Sequence, residues 1–151
     1  MLRFTGGVIF LKKDTSEILK ELEGFSDFKS FYEENGEQLA EVALCDYLEA
    51  LLLKKGLNKA EVITKSELSE VYAYQIFSGI KKSPSRGKLL CLAFGMELSL
   101  DETQEMLKKT GFAPLYAKTP FDCVVIYGLC KGMSVVGVNE LLYEYGQELL
   151  G

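Results

Sequence analysis

Residues Leu57 to Gly79, LNKAEVITKSELSEVYAYQIFSG, allow few local structures. Asn58 is suited to cap a helix, and Glu61, three residues on, completes a capping box in which side chains and backbone satisfy each other. Ala60, Val62 and Ile63 supply the inward side of that first helix. Ser69 is the next capping residue, and Ala73, Ile76 and Phe77 recur after it at helical spacing. Opposite that stripe stand Glu70, Val71, Tyr74, Gln75 and Ser78. Gly79 ends the second helix as a residue that accepts positive φ. The spacing predicts two short helices joined by a tight break, the second with an outward face left over.

A basic, turn-rich segment follows, IKKSPSRGK, in which Ser85 is placed to cap the next helix. With L-N-x-A-E at Leu57 to Glu61, Gln75-Ile76, Ser78-Gly79 and Pro84-Ser85, the chain resembles the phage-repressor-like (XRE) helix-turn-helix family. The resemblance covers roughly Leu44 to Leu107, about the size of a five-helix domain of that kind. It implies an all-α, lambda-repressor-like bundle, to which the chain's own helical periodicity adds an N-terminal helical segment and a C-terminal helical hairpin. The function it implies is that of a cytoplasmic regulator that reads double-stranded DNA.

By that resemblance, Glu70, Val71 and Gln75 face base edges, and Tyr74 adds an apolar or stacking contact. Asn58, Lys59, Lys82 and Arg86 match phosphate-holding positions, with Lys81, Ser69, Ser78 and Ser85 as further backbone contacts. Such domains bind as two-fold dimers, so a homodimer is expected. The N- or C-terminal helices would carry that contact or receive a protein partner. One position departs from the pattern. Glu67 stands where the family usually has glycine, so a left-handed backbone there would carry a penalty.

Charge distribution points the same way. The chain holds 17 Lys and Arg against 22 Asp and Glu, which argues against unspecific polyanion binding. Between Lys54 and Lys88 the balance reverses, with eight basic residues against Glu61, Glu67 and Glu70. A basic island on an acidic body is the electrostatic footprint of a duplex-binding face. The competing class is a protein-interaction or antitoxin-like adaptor on the same scaffold, which Glu67, Glu70 and the acidic total favour.

Catalysis finds little to build on. There is no histidine, the commonest general base, and no P-loop, GxSxG or GxGxxG spacing. The acidic groups Glu33-Glu34-Glu37 and Asp101-Glu102-Glu105 read as helix caps and solvated faces. Cys45, Cys91, Cys123 and Cys130 form no CxxC and lie in apolar helical patterns, which predicts reduced, buried thiols. No enzyme activity, metal or cofactor is therefore expected. No apolar run reaches the roughly eighteen residues that span a bilayer, so no membrane is expected either. The opening MLRFTGGVIFLKK lacks the charged start and cleavage site of a signal peptide and reads as a short strand or arm.

Periodicity predicts helix through most of the remainder. One or two helices run from Asp14 to near Gly36, with Ile18, Leu19, Leu22, Phe25 and Phe28 as their apolar side. Helices are expected over 39–55, 86–94, 100–109, 120–130 and 135–150, the last burying Val138, Leu141, Leu142, Tyr145 and Leu149. These group as an arm and helical segment over 1–38, a reading domain over 39–112, and a hairpin over 113–151 on the same bundle. That hairpin echoes the preceding one. Leu98-Ser99-Leu100, Glu105-Met106-Leu107 and Gly111 return as Met133-Ser134-Val135, Glu140-Leu141-Leu142 and Gly146, always thirty-five residues later.

Overall fold

Short polar side chains set where most helices begin, and left-handed residues set where several stop. The computed structural model describes residues 2–5, 8–11, 13–39 and 42–151, which divide into two compact units, Met1–Glu41 and Val42–Gly151. Apart from one short hairpin, the regular structure among the described residues is helical.

In the first unit, β1 (Leu2–Thr5) and β2 (Val8–Leu11) pair antiparallel, Leu2 opposite Leu11 and Thr5 opposite Val8. Asp14 and Glu17 form a complete capping box that opens α1 (Thr15–Gly24). Asp27 caps α2 (Phe28–Asn35), which runs into a 3-10 turn over Gly36–Leu39. Phe31 is the buried centre, with the Phe25 ring edge-on at 5.6 Å. Asn35 is buried beside it and accepts from Lys13 Nζ at 2.7 Å. The predicted apolar side is only partly covered, since Leu19, Leu22 and Phe28 remain exposed. A unit this small has little interior to offer them.

The second unit opens with α3 (Leu44–Lys55), which starts later than the predicted 39–55, after an extended Ala43 that makes no side-chain cap. Then follow α4 (Lys59–Ser66), α5 (Glu70–Ser78), α6 (Arg86–Gly95), α7 (Leu100–Lys109), α8 (Pro120–Lys131) and α9 (Val135–Glu144). Helix α6 is the axis of the core, with every residue from Leu89 to Gly95 buried. Around it pack Leu48 of α3, Val62 and Ile63 of α4, Ile76 of α5, Met106 and Leu107 of α7, Val125 of α8 and Leu142 of α9. Gly95 makes room for α4, since a Cβ there would lie 2.5 Å from the Val62 carbonyl oxygen.

One helix-to-helix corner is used three times. Gly56, Glu97 and Gly132 take left-handed φ of 63°, 53° and 65°. Each is followed by an apolar residue (Leu57, Leu98, Met133) and then by a cap (Asn58, Ser99, Ser134). The apolar residue's N–H returns to the preceding helix, onto the carbonyls of Leu52, Ala93 and Gly128. This is the Schellman geometry, and glycine is its natural left-handed residue. Glu97 holds that place at a cost of roughly 1 kcal/mol.

The thirty-five-residue echo is also present in space. The side-chain amide of Gln104 accepts from Leu115 N at 2.7 Å and donates to Leu115 O at 2.8 Å. Asn139 does the same for Leu150, at 2.7 Å and 3.3 Å. Both leucines are buried, and Gly111 and Gly146 are both left-handed.

Three expectations need correcting. Helix α9 stops at Glu144, because Gly146 turns the chain, so Tyr145 and Leu149 stay exposed and Leu150 is buried instead. Ala60 faces solvent, and Val62, Ile63 and Ser66 are the buried residues of α4. Of the four cysteines, all free thiols, only Cys91 is buried, and burial pushes its thiol up to about 11. No helix among the described residues is long and apolar enough to cross a membrane.

Candidate nucleic-acid interface

The turn between α4 and α5 is pinned from inside. Ser66, fully buried, donates its hydroxyl to Ile63 O at 2.6 Å and accepts from Leu68 N at 3.3 Å. Glu67 is left-handed at φ 61°, the conformation anticipated for its position. Ser69 then caps α5, accepting from Tyr72 N at 3.3 Å. At the start of α4, Asn58 accepts from Glu61 N at 3.1 Å. The predicted capping box is thus half made, with Glu61 itself turned to solvent.

Helix α5 is divided cleanly between an inner and an outer side. Ala73, Ile76 and Phe77 are buried, whereas Glu70, Val71, Tyr74 and Ser78 are exposed and Gln75 is half-buried. Val71 at 70 % and Tyr74 at 42 % exposure leave this side open to a ligand. The side chains line a shallow depression that ends on Ile80, itself 71 % exposed. Ile80 is absent from the sequence-predicted set. Its signal is an apolar β-branched residue directly after the Gly79 stop, at the head of a basic segment.

The four base-facing candidates therefore lie together. The backbone-contacting candidates do not share one fate. Lys82 is exposed and has no partner among the described residues. Lys81 and Lys88 hold their ammonium groups 5.8 and 4.9 Å from the centre of the half-buried Tyr72 ring. Lys59 is paired with Glu49 and sits 5.3 Å from the Phe77 ring centre, so contacting a phosphate would mean leaving Glu49. The Ser78 hydroxyl donates to Gln75 O at 3.2 Å, and Ser85 caps α6 through Lys88 N.

Arg86 is a correction. Its guanidinium is bidentate to Asp122, at 2.8 and 2.9 Å, and donates also to the carbonyls of Ala113 and Pro114. Four hydrogen bonds commit it to holding the connector and α8, which removes it from the phosphate-contacting set. Burial works against the Asp122 charge, but Arg86 and the Tyr116 N–H outweigh it and hold the carboxyl below the usual aspartate range.

What remains is an exposed helix face flanked by cations, with one amide side chain, one carboxylate and three apolar groups. It can accept and donate at base edges, or cover an apolar partner. Compared with protein-family models, curated proteins and solved structures, the chain has no match in any of the three.

Proposed function

We propose that this chain is a sequence-specific, helix-turn-helix transcriptional regulator of the phage-repressor-like kind, with α5 entering the major groove of double-stranded DNA. The observation that carries the reading is the uncovered outer side of α5 lying beside Lys81, Lys82 and Lys88. Gln75 would pair bidentately with adenine, Val71 would meet a thymine methyl, and Glu70 would accept from a cytosine amine. Lys81, Lys82 and Lys88 would hold phosphates, with Ser69, Ser78 and Ser85 as neutral neighbours. Such a regulator works in the cytoplasm and as a two-fold pair. The exposed Tyr127, Val136 and Tyr143 of the C-terminal hairpin are available for that pairing.

A titration of duplex carrying the gene's own upstream region tests the assignment. Gln75→Ala should cost about 1–3 kcal/mol on the preferred site and relax sequence preference. Lys82→Ala should weaken all sequences alike and reduce the salt slope by about one. Equal losses on every sequence from both changes would contradict these roles.

The second reading is an antitoxin-like or adaptor module, and the exposure of Val71 and Ile80 favours it. A protein partner would bury both, and duplex would then bind poorly even at low salt.

A further inference from the structure

Where α4, α6 and α8 end lies a groove of about 620 Å³, within the range of small-molecule sites. Its floor is apolar, built from Phe94, Leu129 and Met133. Three helices end on it: α4 at Lys65 and Glu67, α6 at Phe94 and Glu97, and α8 at Leu129 and Gly132. The carbonyls at these ends are largely engaged by the turns that follow, so the charge the groove presents is set by its side chains. The rim adds two carboxylates and one ammonium. Lys65 pairs with Glu97 at 3.3 Å, while Glu67 has no partner among the described residues. Both glutamates are the left-handed non-glycine residues of the chain's described part.

The geometry points to a binding site for an amphipathic amine, an ammonium group carried on an apolar ring or chain. The apolar body lies on Phe94, Leu129 and Met133, and the ammonium meets Glu67 near the three helix ends. This chemistry explains why glutamate rather than glycine occupies the turn: the side chain supplies the unpaired charge that the groove presents. An anionic ligand would face Glu67 and Glu97 together, with Lys65 already engaged.

The test uses the full chain without DNA, so its failure leaves the duplex-binding reading untouched. With 2-phenylethylamine as probe, amide resonances of Thr64, Glu67, Glu97 and Met133 should shift together. The neutral twin, 2-phenylethanol, should bind about tenfold more weakly, because it lacks the charge-assisted contact. Glu67→Gln should weaken the amine by a similar factor. Glu67→Gly should raise the melting temperature, by relieving the left-handed backbone, and still lose the amine. Equal binding of amine and alcohol, shifts clustered elsewhere, or undiminished amine binding by Glu67→Gly would each overturn the proposal.

Discussion

Replacing Arg86 by alanine is expected to lower the unfolding free energy by about 2–4 kcal/mol, because it strands a buried carboxylate. Asp122 is 5 % exposed and receives two of its three hydrogen bonds from that guanidinium. The same substitution also frees the carbonyls of Ala113 and Pro114. Chemical denaturation of the variant checks the size of the loss. A phosphate-contacting arginine would behave differently, leaving stability intact and reducing duplex affinity alone.

The pair also sets a pH dependence. The folded-state pKa of Asp122 is depressed, so its contribution is full above the unfolded value of about 3.9 and is lost as pH falls through the folded value. Acid unfolding of the wild type should therefore include this carboxyl. Asp122→Asn should flatten stability in that acid range while lowering it at neutral pH.

Gly95→Ala should destabilise by about 1–3 kcal/mol, as overpacking does in a filled core. The added methyl would meet the Val62 carbonyl at 2.5 Å and Ser66 at 3.2 Å, both on α4, and a main-chain oxygen cannot rotate aside. Helix propensity opposes this by up to about 1 kcal/mol, which is the smaller effect. Gly87→Ala in the same helix is the internal control. Its nearest neighbour would be 3.8 Å away, so the propensity gain should appear there uncancelled. Thermal unfolding of the two variants should move in opposite directions. A stabilised Gly95→Ala would show that α4 can yield.

Legibility in the sequence followed the range of the interaction involved. Ser69, Ser85, Ser99 and Ser134 bond to backbone three residues away, so the starts of α5, α6, α7 and α9 could be read locally. The start of α3 could not, because Ala43 carries no signal. The end of α9 was obscured by Tyr145 and Leu149, which continue an apolar pattern past the point where the backbone turns. At the candidate interface, the exposed side of α5 followed from spacing alone. The engagement of Arg86 did not, since Asp122 lies thirty-six residues away and only folding brings the two together. Basic residues look alike in a sequence whether they face solvent or an internal carboxylate.

The paired amide clamps of Gln104 and Asn139 place a kinetic label on each repeated hairpin. The Leu115 and Leu150 N–H groups belong to no helix, yet each is held by a side chain and buried with its leucine. Both should exchange with deuterated solvent far more slowly than neighbouring loop amides. Their relative rates then report whether the two hairpins open as one cooperative block or in succession.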